Sequence, residues 1–120
     1  MSKEHKTEAL AIHCIDFRFQ DQIQEHLEYV QSLKDFDRIS WPGASKDFDN
    51  VSQAAALSIE LHDPDEAYIY EHEDCGAYGE DNSMDAHRKN AYKLKAFLEE
   101  KKPTMKVTTL IATFDGIKEL

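Results

Sequence analysis

Apolar positions recur along this chain in alternating rhythms, strand-like and then helix-like. The segment Ala9-Leu10-Ala11-Ile12-His13-Cys14-Ile15 is a nearly continuous apolar run, the pattern of a parallel strand buried on both faces. Ile23, Leu27, Val30 and Leu33 then repeat at helical spacing and predict a helix over roughly residues 19–34. A second strand fits 37–41 and is closed by Pro42-Gly43. Asp49 or Asn50 is placed to cap a helix over 51–62 that carries Leu57 and Leu61 and ends at Pro64. Residues 66–71 read as a third strand, and the turn at 75–79 leads to a helix over about 83–101. Met84, Ala91, Leu94 and Leu98 form the apolar stripe of that helix. A fourth strand over 106–114 stops at Asp115-Gly116.

Strands alternating with helices in the order β-α-β-α-β-α-β predict an α/β fold. Its form is a single-domain, three-layer arrangement around a central four-stranded parallel sheet, with strand order 2-1-3-4 and right-handed crossovers. No repeat or linker divides residues 1–120, so one domain is expected, with 1–7 as a flexible N-terminus. In such a sheet, ligands favour the crevice at the carboxyl ends of strands 1 and 3, where the chain reverses direction across the sheet. Cys14 falls at the end of strand 1, and His72 and Cys75 fall just after strand 3.

Composition narrows the possibilities. With 41% hydrophobic residues the chain can fill a core. The net charge of -10 argues against binding to nucleic acid or to anionic membrane surfaces. No apolar run is long enough for a membrane helix, and the polar start carries no signal segment, so a cytoplasmic location is expected. Two cysteines are too few for a secreted disulfide scaffold, which favours metal or redox chemistry over a structural bridge.

His72-Glu73-Asp74-Cys75 has the spacing of a two-ligand metal clamp, and Cys14 would add a third ligand from across the crevice. Two thiolates and one imidazole suit zinc and leave a fourth position for water. The plainer alternative is a pair of unconnected core cysteines. In an extended Cys14-Ile15-Asp16-Phe17-Arg18, alternation puts Cys14, Asp16 and Arg18 on one side and turns Ile15 and Phe17 into packing. Arg18 can then hold Asp16 ionised, leaving Asp16 to accept the proton of a zinc-bound hydroxide. A structural ion pair between strand and helix explains the same two residues.

The pair of motifs, Cys14-Ile15-Asp16-Phe17-Arg18 and His72-Glu73-Asp74-Cys75-Gly76, resembles the C-x-D-x-R and H-x-x-C signature of the β-class carbonic anhydrases, here in a short, minimal form. The resemblance runs from about residue 9 to residue 114. It implies zinc held by Cys14, His72 and Cys75, with Asp16 and Arg18 as a catalytic dyad. It also implies a lyase that reversibly hydrates carbon dioxide to bicarbonate, acting as a homodimer or higher homo-oligomer. Apolar surface on the first helix or around Trp41 is the expected contact. Trp41-Pro42-Gly43-Ala44-Ser45 keeps the glycine of a family element but not its asparagine, and Phe36, Phe48 and Tyr78 are candidate aromatic residues of the cleft. Some family members bind zinc through the aspartate in a closed resting form. The same scaffold also carries hydrolysis of carbonyl sulfide and carbon disulfide. A non-catalytic zinc-binding or redox-sensing domain is the reading from another class. Backbone N–H groups at Gly76 can meet substrate oxygens. His13 is expected to be a packed core histidine, and His87 can shuttle protons.

Overall fold

In the computed structural model, which describes residues 5–120, five strands form one sheet in the spatial order β2-β1-β3-β4-β5. The four parallel strands are β1 (Ala9–His13), β2 (Phe36–Ser40), β3 (Glu66–His72) and β4 (Lys106–Thr113), and they stand in the expected order 2-1-3-4. The fifth, β5 (Gly116–Glu119), pairs antiparallel with β4 where the sequence suggested only a stop. Gly116 has φ of 141°, a backbone state open mainly to glycine, so the chain folds back here. Thr113 secures the turn by donating its hydroxyl to the Gly116 carbonyl (2.8 Å) and accepting the Asp115 N–H.

Every residue of β1 is buried, as its unbroken apolar run predicts. Leu10 and Ile12 point to one face, where α2 (Phe48–His62) and α3 (Met84–Lys101) supply Val51, Ala55, Ala91, Leu94 and Leu98. Ala9 and Ala11 point to the other, where α1 (Gln20–Glu25) and the turn that extends it bring Ile23 and Leu27. On that face the bulk comes from Tyr68 and Tyr70 of β3, which fill the space left above the alanines.

The helices depart from their expected outlines in instructive ways. Beyond Glu25 the first helix widens into a π turn over His26–Val30, closed by Gln31 N–H donating to the His26 carbonyl. The wider turn advances the helix face. Ile23, Leu27 and Leu33 remain inside, whereas Val30 is turned out to 67% exposure. α2 begins one turn earlier than expected, and Asp47 rather than Asp49 or Asn50 caps it, accepting from the Asn50 N–H. Leu57 and Leu61 lie on its outer side. α3 is capped by Ser83, and its inward stripe is His87, Ala91, Leu94 and Leu98. Met84, expected in that stripe, is half-exposed because it precedes the edge of the core by one turn.

Of the stretch 1–7, residues 1–4 lie outside the described residues. Lys6 pairs with Asp65 at 2.7 Å, and the Thr7 N–H donates to the His62 carbonyl at 2.9 Å. Among the described residues no helix is long and apolar enough to cross a membrane.

Candidate metal centre

β1 and β3 are parallel neighbours in register at Ile12 and Ile69, so their carboxyl ends open on the same side of the sheet. Cys14 follows the last residue of β1, His72 ends β3, and the turn beyond it returns Cys75. The two cysteine sulfurs lie 4.0 Å apart. The candidate ligand atoms of Cys14, His72 and Cys75 all fall within 4.8 Å of one another, and all three residues are buried. Zinc–sulfur bonds of about 2.3 Å in a tetrahedral site place two sulfurs roughly 3.8 Å apart, so the spacing fits.

The imidazole gives a second, independent indication. His72 Nδ1 lies 2.8 Å from the Glu73 carbonyl, which fixes the proton on that nitrogen. Nε2 therefore presents a lone pair and is buried without a hydrogen-bond partner, as is Nε2 of His13, but only that of His72 lies with the two sulfurs. An unsatisfied buried acceptor is unfavourable unless something electropositive meets it. The sulfur side is prepared as well: the Gly43 N–H donates to Cys14 Sγ at 3.3 Å. Hydrogen bonding from the Cys75 thiol, helped by the neighbouring His72 and then by Gly43, outweighs burial and pulls the Cys14 thiol well below its ordinary range, while sharing that proton pushes Cys75 up. Two soft sulfurs and one free imidazole nitrogen thus form a site that could hold a thiophilic divalent metal.

Asp16 and Arg18 reach the site by a route other than an extended strand. Asp16 caps a single 3-10 turn at Phe17–Phe19. Its Oδ1 accepts from the Arg18 backbone N–H and from Nε, both at 3.0 Å, and its Oδ2 accepts from Nη2 at 2.7 Å. The Arg18 guanidinium holds the Asp16 carboxyl down at about 2. The expectation that Ile15 and Phe17 would turn into packing fails, because the 3-10 turn breaks strand alternation and leaves them 54% and 85% exposed. Arg18 also donates to Asp74, through Nη1 to Oδ2 (3.0 Å) and through Nη2 to the carbonyl (2.8 Å). That grip falls on a residue held at φ of 54°, a left-handed conformation that non-glycine residues seldom adopt. Asp16 Oδ2 lies 3.9 Å from His72 Nε2, beside the would-be metal position.

A cleft of about 680 Å³ opens over this group. Cys14, Asp16, Arg18 and Gly76 contribute to its lining, alongside apolar surface from Ile15 and Phe17. A Cβ added at Gly76 would meet nothing within 4 Å, so the glycine leaves room in the cleft and relieves no packing clash. Of the three candidate aromatic residues, only Tyr78 packs with the cysteines; Phe36 sits against the α1-side core and Phe48 against Phe97.

The sequence reading missed a buried polar cluster behind the cysteines. Glu71, next to last in the buried β3 segment, accepts hydrogen bonds from Ser45 and Tyr78 and lies 2.8 Å from His87 Nδ1. A glutamate amid an apolar central strand was the available signal. His87, which could have served as a proton shuttle, is a buried partner with both ring nitrogens engaged, because its position on α3 faces the sheet. His13 is the packed core residue expected, its Nδ1 2.9 Å from the Cys14 carbonyl.

Comparison with known proteins agrees with this picture. Residues 4–116 match the model of a family described as "Putative carbonic anhydrase". Two uncharacterized proteins, from Rickettsia bellii and Rickettsia conorii, are each 27% identical over 99% of this chain, which covers 87% and 77% of their respective lengths. Among solved structures, a carbonic anhydrase from Glaciozyma antarctica superposes with a TM-score of 0.63 at 13% identity, over 92% of this chain and 80% of that one. One of two tetrameric beta-carbonic anhydrases from Sordaria macrospora gives 0.58 at 13% identity, over 97% of this chain and 81% of its own. At such identities the superpositions speak to the fold.

Proposed function

This chain belongs to that carbonic anhydrase family, and from the geometry of Cys14, His72 and Cys75 we propose that it is a zinc-dependent lyase that reversibly hydrates carbon dioxide to bicarbonate. The observation that carries the reading is the buried, partnerless Nε2 of His72 beside two cysteine sulfurs 4.0 Å apart. Cys14, His72 and Cys75 would hold the zinc, which would supply the electrostatic pull that makes a water nucleophilic near neutral pH.

The chain's own groups do the rest. Asp16, kept ionised by Arg18, is an acceptor at any physiological pH. Beside His72 Nε2 and on the cleft wall, it is placed to accept the hydrogen of the attacking water. Arg18 fixes Asp16 through paired hydrogen bonds, and its contacts with Asp74 keep it from swinging away. Gly76 leaves space for a small substrate and allows its oxygens close to the backbone. A cytoplasmic setting would keep both thiols reduced and able to bind metal.

Metal analysis of the purified protein followed by stopped-flow hydration assays tests the proposal. One zinc per chain and measurable hydration are expected. Asp16→Asn should keep the zinc and lose about 100-fold or more in hydration rate. Zinc without hydration would refute the activity, turnover of carbonyl sulfide in its place would change the substrate, and protein that takes up no metal would end the reading altogether.

A further inference from the structure

Behind the cysteines, Asn82 lies between the buried Glu71–His87 pair and the turn that carries Cys75. His87 Nδ1 lies 2.8 Å from a carboxylate oxygen of Glu71 and donates to it, which leaves Nε2 of the neutral ring to accept. The group 2.6 Å from Nε2 is the Asn82 side-chain amide, which therefore presents its NH2 there. With the amide so assigned, Asn82 Oδ1 accepts from the backbone N–H groups of Cys75 (3.0 Å) and Asp74 (3.1 Å). The opposite orientation would set an NH2 against those two N–H donors, whichever way His87 were protonated. One orientation satisfies every group: Glu71 orients His87, His87 orients Asn82, and Asn82 holds the turn.

We infer that Asn82 is a positioning residue of the metal centre, fixing the Asp74–Cys75 backbone so that Cys75 Sγ stays within bonding reach of an ion shared with Cys14 and His72. The inference rests on the metal-binding reading above. Both residues that Asn82 holds need holding. Asp74 keeps a left-handed backbone, and Cys75 carries a ligand on a turn that no strand pairing restrains. The carbonyl of Asn82 does for the cysteine ligand what outer hydrogen bonds do for a ligating histidine, which is to set its direction before metal arrives.

The test is zinc affinity by chelator competition, together with the sulfur-to-cobalt absorption of the cobalt-loaded protein, for wild type, Asn82→Ala and Asn82→Asp. Asn82→Ala should weaken zinc by about 10–100-fold and shift the cobalt spectrum. Asn82→Asp, which retains an acceptor for both N–H groups, should recover most of that loss. Ser58→Ala removes a hydrogen bond to Asp37 (2.7 Å) at the far end of the sheet and should leave zinc affinity unchanged. Wild-type affinity in Asn82→Ala, or an Asn82→Asp as weak as the alanine variant, would overturn the inference. Should Asn82→Ala fail to fold, amide hydrogen exchange on the metal-free wild type decides: slow exchange at Asp74 and Cys75 supports the inference and fast exchange overturns it. Wild type that binds neither ion would instead sink the metal reading, and the exchange data would still report on Asn82.

Discussion

His26 lies partly buried on the π turn, with Nδ1 2.7 Å from the hydroxyl of the fully buried Tyr70 and its ring edge-on to the tyrosine ring. Burial pushes the Tyr70 phenol up, so it remains a donor and His26 an acceptor. Desolvation lowers His26 below its ordinary 6.5, and it lowers His13 in the same direction. A histidine whose folded value is depressed takes up its proton more readily in the unfolded chain, so stability is full above 6.5 and declines as pH falls through that value. Urea midpoints of metal-stripped protein should therefore drop between pH 7.5 and pH 5. His26→Gln should flatten part of that slope, and an unchanged slope would remove His26 from the account.

At the scale of elements, the loop after β2 matters more to the site than its length suggests. Gly43 sits at φ of 75° and directs its N–H at Cys14 Sγ. A Cβ there would lie 3.2 Å from that of Ala77, on the turn that carries Cys75. Gly43→Ala should cost about 1–3 kcal/mol of stability through the left-handed backbone alone, and should also weaken metal binding. Thermal unfolding and zinc competition on the same samples check both effects. Elements of this kind explain what the sequence made legible. β1 could be read because burial on both faces demands an apolar run, and the stripe Ala91, Leu94, Leu98 because α3 is regular. Val30 and Phe17 could not be placed, since a π turn and a 3-10 turn change the number of residues per turn without any marker in the letters. The meeting of Cys14, His72 and Cys75 was legible from two motifs and the order of strands. Asn82 was not, because its role depends on which atoms of a turn and of α3 come to face each other.

For the molecule as a whole, large apolar side chains remain exposed on the two regions expected to form a contact: Tyr29 and Val30 on the first helix, and Trp41 after β2. A domain of this size has a limited core of its own and gains by covering such surface. Light scattering should find at least a homodimer at micromolar concentration. The net charge of -10 opposes association at low ionic strength, so added salt should strengthen it. A variant combining Tyr29→Glu and Val30→Glu, or else Trp41→Glu, should shift the mass toward monomer. A monodisperse wild-type monomer would contradict the expectation.

The fold-back at Gly116 bears on how the protein behaves outside dilute buffer. Without β5, the outer flank of β4 would offer a row of unclaimed N–H and C=O groups with Leu110, Ile111 and Ala112 at its middle, an inviting template for a neighbouring polypeptide. β5 replaces that flank with a short strand bearing Lys118 and Glu119. Removing residues 116–120 should thus convert a well-behaved sample into one that clouds on concentration or warming, with turbidity appearing before any loss of helical circular dichroism. Five residues outside the candidate site would then act as the molecule's guard against sticking to itself.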